Sequence, residues 1–537
     1  MSTPPQSSVV LRDVSFTWPD GGVALDGVDG AFGDGRTGLV GRNGSGKSTL
    51  LRLIAGELAP TRGRVDTSGD VGYLPQTLTL DDDTSVAELL GIAPKLAALR
   101  AIESGDVDES RFETIGDDWD IQARAVEALD RIGLGPDYLD RRVSEVSGGE
   151  AMLLAVTGLS LRRTPVTLLD EPTNNLDRPT RARLAGLVDE WPGTLIVVSH
   201  DLELLEHTDA TAELYGGAIT VFGGPYSAWR AHLEAEQEAA AAAARTAQQT
   251  LKAEKRQRVD AETRLAHRAK AGKKAQADGG LPKILAGARK RRAQESAGDL
   301  RTTLDNRIDA AQSAVDAADA RVRDDDHISL DLPVPDLPRS RQLIAFTAGD
   351  AEIVVQGPER VALVGPNGSG KSTLLAQLVN RSDPTPGRTA GRLLTESFGY
   401  LPQRLDGLDD GATALENVQS VAPHTAPGDI RNGLARLLVR GDAVDRPVST
   451  LSGGERFRVS MATLLFADPP SQLLILDEPT NNLDVTSVEQ LGQALDAYRG
   501  ALLVVSHDLP FLRRLGIDVV LELDADGVMH RRGELPS

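Results

Sequence analysis

Residues 39–49 read Leu-Val-Gly-Arg-Asn-Gly-Ser-Gly-Lys-Ser-Thr, and residues 363–373 read Leu-Val-Gly-Pro-Asn-Gly-Ser-Gly-Lys-Ser-Thr. In both, two apolar residues close a strand, three glycines follow, and Lys-Ser-Thr opens a helix. A Gly-x-x-x-x-Gly-Lys-Ser run in this setting lets backbone N–H groups turn inward around phosphates. Gly41, Asn43, Gly44, Ser45, Gly46, Lys47, Ser48 and Thr49 make the first such loop. Gly365, Asn367, Gly368, Ser369, Gly370, Lys371, Ser372 and Thr373 make the second. Lys47 and Lys371 are placed to reach the β and γ phosphates, and Ser48 and Ser372 to hold Mg²⁺. The helix that starts after each loop adds its positive end.

The repeat extends beyond the two loops. Leu169-Asp-Glu-Pro-Thr-Asn-Asn-Leu-Asp177 returns as Leu476-Asp-Glu-Pro-Thr-Asn-Asn-Leu-Asp484, and Val198-Ser-His-Asp-Leu202 as Val505-Ser-His-Asp-Leu509, both with an offset of 307. The chain is a tandem duplication around a linker. In each half, short β-branched and Leu-rich runs alternate with helical patterns, which predicts an α/β fold on a parallel sheet. Val166–Leu169 and Leu473–Leu476 are continuous apolar runs and read as strands buried on both faces, as do 194–198 and 502–505. Asp170 and Asp477 end such strands and suit Mg²⁺ coordination. Glu171 and Glu478 follow as general bases for an attacking water, and His200 and His507 are placed for contact with the γ phosphate.

These residues carry a resemblance. Val146-Ser-Gly-Gly-Glu150 and Leu451-Ser-Gly-Gly-Glu455 look like the ABC-ATPase signature, and Gln76 and Gln403 resemble its Q-loop glutamines, which also reach the metal. The resemblance spans both halves and implies two P-loop ABC-type cassettes facing head to tail in one chain, a monomer with intramolecular pairing. It implies ATP sites that join Lys47, Gln76, Glu171 and His200 to Ser452, Gly453 and Gly454, and Lys371, Gln403, Glu478 and His507 to Ser147, Gly148 and Gly149. Ala151 stands where the second half has Arg456, which puts symmetry in doubt and marks the Lys371 site as the slower. Trp18 would stack on adenine or serve the core; Phe346 is a poorer counterpart.

Charge is unevenly distributed. The net charge is −21, yet Arg245–Arg292 carries +11 and holds seven of the ten lysines. The domains read as 1–229, a first cassette with an extra polar, helical insertion near 95–120; 230–341, a linker; and 342–537, a second cassette. The linker is rich in Ala, Gln, Glu, Lys and Arg, strong helix formers, and a Gly279-Gly-Leu-Pro282 break divides it. Leu300, Leu304, Ile308, Ala311, Val315, Ala318 and Val322 form a heptad seam, so the linker is expected to be an antiparallel helical hairpin. Its tip, about 266–292, sets apolar residues among Lys273, Lys274, Lys283, Arg289, Lys290, Arg291 and Arg292, a pattern suited to RNA phosphates. A plain coiled coil with a solvated face is the alternative.

There are no cysteines, which excludes disulfides, iron–sulfur clusters and thiolate zinc. No apolar run reaches the roughly 18–20 residues of a membrane span, and no signal peptide is evident; a cytoplasmic protein is expected. One chain, two cassettes, no span and a helical linker together resemble the ABC-F proteins, cytoplasmic ATPases that bind the ribosome. The resemblance implies ATP and Mg²⁺ as cofactors, with rRNA and P-site tRNA as partners. The hairpin would be inserted from near the tRNA exit and P sites toward the peptidyl-transferase region, in translation or in antibiotic-resistance ribosome protection. The rival readings are the ATPase subunit of an ABC transporter coupled to separate membrane proteins and a DNA-maintenance ATPase.

Overall fold

The computed structural model describes residues 8–535 apart from positions 20, 79–80, 82, 107, 175, 278–282, 324–331, 349–350, 367, 383–387, 404–406, 482, 484 and 534. It divides into two compact units, Met1–Tyr226 with His327–Ser537, and Ser227–Asp326.

The first unit holds both cassettes. Strands β1 (Val9–Thr17), β2 (Val23–Phe32), β3 (Gly35–Val40), β4 (Arg62–Thr67), β5 (Val71–Leu74), β6 (Val166–Asp170), β7 (Thr194–Val198), β8 (Ala210–Tyr215) and β9 (Ala218–Phe222) form one sheet ordered β4-β1-β2-β9-β8-β3-β7-β6-β5. Its centre, β8-β3-β7-β6-β5, is parallel. Every residue of β6 and β7 is buried, as their unbroken apolar runs require when helices cover both faces. A single pairing, Asp29 with Ala218, joins the antiparallel β1-β2-β4 layer to β9, which runs antiparallel beside β8 at the edge of this centre.

The second cassette repeats the plan with β10 (Gln342–Ala348), β11 (Ala351–Gln356), β12 (Arg360–Val364), β13 (Ala390–Leu393), β14 (Phe398–Leu401), β15 (Leu473–Asp477), β16 (Ala501–Val505), β17 (Val519–Leu523) and β18 (Met529–Arg532). Here the antiparallel layer β11-β10-β13 and the core β14-β15-β16-β12-β17-β18 are separate sheets. Phe346 is fully buried among Leu343, Ile344 and Leu375 and is a core residue. Leu332 and Leu337, in the stretch expected with the linker, pack against this cassette's cores.

The insertion near 95–120 folds as helices Ala93–Glu103 and Glu109–Ile115. It is half core: Leu96, Leu99 and Ile115 join the first cassette's interior. Lys95 and Arg124 both pair with Asp118, holding its carboxyl below the usual range, Lys95 being the stronger influence. Phe112 and Trp119 form a tilted pair on the outside.

The second unit consists of the helices Tyr226–Ala277 and Lys283–Asp319. They run antiparallel. Arg258 Nε donates to Asp305 at 2.7 Å, Arg301 to Glu262 at 2.7 Å, and the Arg323 amide to the Gln237 side chain at 2.7 Å. Of the expected seam, Leu304, Ala311 and Val315 are buried, Ile308 and Ala318 half-buried, and Leu300 and Val322 exposed. The facing seam on the first helix, missed in the sequence because alanine is everywhere in it, includes Leu233, Gln237, Ala240, Ala244, Ala247 and Leu251 at alternating spacings of 4 and 3. The side chains of Lys273, Lys274, Lys283, Arg289, Lys290 and Arg292 lie outside the described residues, and Arg291 is exposed.

Candidate ATP sites

Each phosphate loop leaves a strand, β3 or β12, and turns on glycines that adopt the same conformations twice. Gly41, Gly44 and Gly46 have φ of 155°, 80° and 94°; Gly365, Gly368 and Gly370 have 153°, 80° and 99°. The glycine is needed sterically as well: a Cβ on Gly46 would sit 2.7 Å from the Ala24 carbonyl oxygen. Lys47 and Lys371 begin the following helices. Lys47 Nζ donates to the Gly41 and Arg42 carbonyls at 2.8 and 3.1 Å; Lys371 Nζ does so to Gly365 and Pro366 at 2.8 and 2.9 Å. Both ammonium groups thus fold over their own loops. Burial pulls the Lys371 amine below its ordinary value, with Glu478 and Asp477 opposing. Ser45 Oγ and Ser369 Oγ, one in each loop, are buried without a hydrogen-bond partner, a state that a bound phosphate would relieve.

The residues expected to hold the metal meet in both halves. Ser48 Oγ donates to Asp170 Oδ1 at 3.1 Å, and Ser372 Oγ to Asp477 Oδ1 at 3.3 Å. Tyr73 Oη adds a long 3.5 Å bond to Asp170. Burial raises both carboxyls above their ordinary values, against the pull of the serines and of Lys47 or Lys371. A hydroxyl and a carboxylate are hard oxygen ligands of the kind Mg²⁺ takes alongside substrate phosphates and water. Among the described residues there is no cluster of three or more His, Cys, Asp or Glu side chains around either pair, so the chain supplies only part of a coordination sphere. The residues fit Mg²⁺ carried in with a nucleotide, where it would neutralise charge developing on the phosphates.

Glu171 and Glu478 are held by strained backbone, with φ of 51° and 47°. A non-glycine residue there costs about 1–3 kcal/mol. The turn is fixed by Glu171 N–H donating to Val198 O and Glu478 N–H to Val505 O, both at 2.8 Å. It aims each carboxylate at the end of the neighbouring strand. The amides of His200 and His507 donate to Glu171 Oε2 and Glu478 Oε2 at 3.3 and 3.4 Å. The ring nitrogens stand 3.0 and 3.3 Å from the other carboxylate oxygens, off hydrogen-bond alignment, so Glu171 Oε1 and His507 Nε2 remain buried without such a bond. Burial raises Glu171 to about 8 and Glu478 to about 7, close to where a general base works best. Burial likewise pushes His507 down to about 4, so its imidazole is neutral.

Ser147 and Ser452 cap the helices Gly148–Arg162 and Gly453–Leu465, each with a reciprocal Glu150 or Glu455 bond. Gly148, Gly149, Gly453 and Gly454 supply the first helical amides, an anion-receptive end. Arg456 reaches back within its own cassette, bonding Asp410 at 2.6 Å and Val448 O at 3.2 Å. The contrast with Ala151 is therefore one of local bracing.

A cavity of about 380 Å³ lies over the second phosphate loop, lined by Gly368, Gly370, Lys371, Ser372, Thr373, Gln403, Glu478 and His507. Leu176 and Arg181 of the first cassette close it. Arg388, unmarked in the sequence, also lines it, and its Nη1 would lie 2.8 Å from a Cβ on Gly370. Ser147, Gly148 and Gly149 are not among the described lining residues. Gln76 is exposed after β5. Trp18 stacks edge-on against Phe16 at 4.9 Å, with the Arg52 guanidinium 6.0 Å from its ring centre.

Two phosphate loops, two Asp-Glu pairs and two signature helices on duplicated α/β sheets define an ATP-binding-cassette ATPase. The domain family described as "ABC transporter" matches residues 26–174 and 350–481, and the chain belongs to the ABC ATPase family, in its ABC-F branch. It is 32% identical over 95% of its length, and 96% of the relative's, to the Tylosin resistance ATP-binding protein TlrC of Streptomyces fradiae. It is 28% identical over 92% of its length, and 71% of the relative's, to ABC transporter F family member 5 of Arabidopsis thaliana. Among solved structures, an archaeal ribosome recycling factor, aABCE1 in complex with ribosomal stalk protein aP1, aligns with a TM-score of 0.51, covering 95% of this chain and 87% of that one at 19% identity. That likeness supports the fold. No helix among the described residues is long and apolar enough to cross a membrane.

Proposed function

We propose that the chain is a ribosome-binding ATPase of the cytoplasm in which ATP draws the two cassettes together and hydrolysis by Glu171 and Glu478 releases them. The residues that would hold ATP are those of the two phosphate loops, with Gln76, Gln403, Trp18 and the opposing signature helices. Ser48, Asp170, Ser372 and Asp477 would hold Mg²⁺. The basic hairpin would enter near the tRNA exit and P sites and approach rRNA and P-site tRNA by its tip. The observation that carries this reading is the separate two-helix unit between the cassettes, which concentrates a charge of +11 over Arg245–Arg292 in a chain of −21. Cationic side chains there suit nucleic-acid phosphates. Of the two roles, translation factor and antibiotic resistance, similarity to a tylosin resistance protein favours the second.

The test is co-sedimentation. Glu171→Gln with Glu478→Gln should hold ATP without hydrolysing it and pellet with ribosomes; a doubly substituted protein that stays in the ribosome-free fraction with ATP bound overturns the reading. Expression in a susceptible host, with tylosin and related drugs titrated, separates resistance from a general role in translation.

A further inference from the structure

Arg181 belongs to the first cassette, in the helix Arg178–Asp189 that follows the Asn-Asn-Leu-Asp run. Its Nε donates to Leu176 O at 3.0 Å, and its Nη1 forms an ion pair with Asp201 Oδ2 at 3.4 Å, out of hydrogen-bond alignment. The side chain is 18% exposed, and what it faces is the cavity over the second phosphate loop, with Lys371, Glu478 and His507. It also lines a smaller recess between the two histidine segments, beside His200 and His507. Its charge is felt across the gap. On Glu478, which burial raises, Lys371 and Arg181 both pull down; on His507, burial lowers the imidazole first, then Lys371 and Arg181, with Asp177 of the first cassette opposing.

The duplication supplies an internal control. The offset of 307 that maps Asp170 onto Asp477 maps Arg181 onto Val488, a side chain packed against the second cassette's core. The strongest electrostatic influences on Glu171 come from Lys47, Asp170, His200 and Asp201, all in its own half. The second site thus has a cation from across the interface, and the second cassette has an aliphatic residue at the matching sequence position.

We propose that Arg181 is a catalytic residue supplied in trans to the second ATP site, where its guanidinium contacts the terminal phosphate, and that the first site has no such group. As water attacks the γ-phosphorus and the bond to the β–γ bridging oxygen breaks, negative charge is redistributed over the phosphoryl and leaving oxygens. Glu478 takes the water's proton, ADP leaves, and Arg181 adds a second fixed cation to Lys371. An arginine so placed stabilises the transition state more than the ground state. The two sites are then chemically unequal, and the Lys371 site, which its partner's Ala151 marked as the slower, becomes the faster.

This inference rests on reading the Lys371 loop as a nucleotide site. The experiment traps the full-length protein with Mg²⁺, orthovanadate and 8-azido-ATP, irradiates it, and assigns the labelled peptides to either half by mass spectrometry. Arg181→Gln should lower trapping on the second half by about tenfold or more and leave the first half within about twofold. Arg181→Lys should restore part of it, and kcat should fall more than KM rises. Equal losses in both halves would show a merely structural role at Leu176, and undiminished labelling in both would remove the role; each overturns the proposal. Thermal unfolding of both variants checks that the fold survives. Unaltered protein that takes no label on its second half overturns the underlying site reading together with the proposal.

Discussion

Glu171 and Glu478, 307 positions apart in the sequence, take the same left-handed backbone conformation, with φ of 51° and 47°. Each amide is tied to the last residue of the adjacent strand, Val198 or Val505. The strain sits at the residue that would do the chemistry, and it fixes the carboxylate's direction before any nucleotide arrives.

Replacing both glutamates by glutamine keeps the backbone turn and removes the base. ATPase activity should fall by about 100-fold or more, the range of general-base losses, while ATP binding persists. Single-turnover hydrolysis and filter binding on the same preparation check it; hydrolysis within about threefold of the unaltered rate would exclude these residues as bases.

Asp170→Asn and Asp477→Asn leave the Ser48 and Ser372 hydroxyls a neutral partner in place of an anion. The Mg²⁺ concentration for half-maximal hydrolysis should rise about tenfold or more, because one charged ligand of a hard cation is lost. Titrating Mg²⁺ against phosphate release measures the shift, and chelation with EDTA should abolish hydrolysis in the unaltered protein.

Lys47 and Lys371 each donate to two loop carbonyls. Exchange for alanine removes charged donors worth about 1.5–3 kcal/mol each to a phosphate, so ATP affinity at that site should drop by about 10- to 100-fold. Equilibrium binding of a fluorescent ATP analogue, with one loop altered at a time, should show one tight and one weak site.

Hydrogen bonds from Arg301 first, and then Arg258, hold the Glu262 carboxyl down to about 2 from its ordinary 4.5. A group lowered on folding adds stability that is present above the unfolded value and is lost as pH falls through the window from 4.5 toward 2. Amide protection across the middle of the hairpin should therefore weaken between pH 5 and pH 3.5, and Glu262→Gln should flatten that dependence. The group is exposed, so the effect should shrink in high salt; hydrogen exchange at both pH values, with and without added salt, measures it.

Much of the cassettes was legible because their chemistry is local in sequence. Val166–Asp170 and Leu473–Asp477 are strands where unbroken apolar runs predicted them, and glycine spacing marked the loops where positive φ is found. What sequence hid was set by distant neighbours. Nothing near Glu171 announces a left-handed residue; the cause is a bond to Val198 in another strand. Arg388 and Arg181 look like ordinary surface arginines until the fold brings both to one cavity. The hairpin's second helix showed its seam through Leu304 and Val315, whereas the first concealed its own because buried and exposed alanines spell the same letter.

Arg258 with Asp305 and Glu262 with Arg301 share one sum of positions, 563, so these two neighbouring rungs hold one register. One residue added to the first helix between Leu251 and Arg258 would turn every later side chain by about 100° and pull the ion pairs out of line with the seam. Between the base of the hairpin and its ion pairs, length can therefore change only in whole heptads added to both helices, about 10.5 Å at a time. That stretch is quantised in length, and its neighbouring permitted lengths differ by fourteen residues of chain.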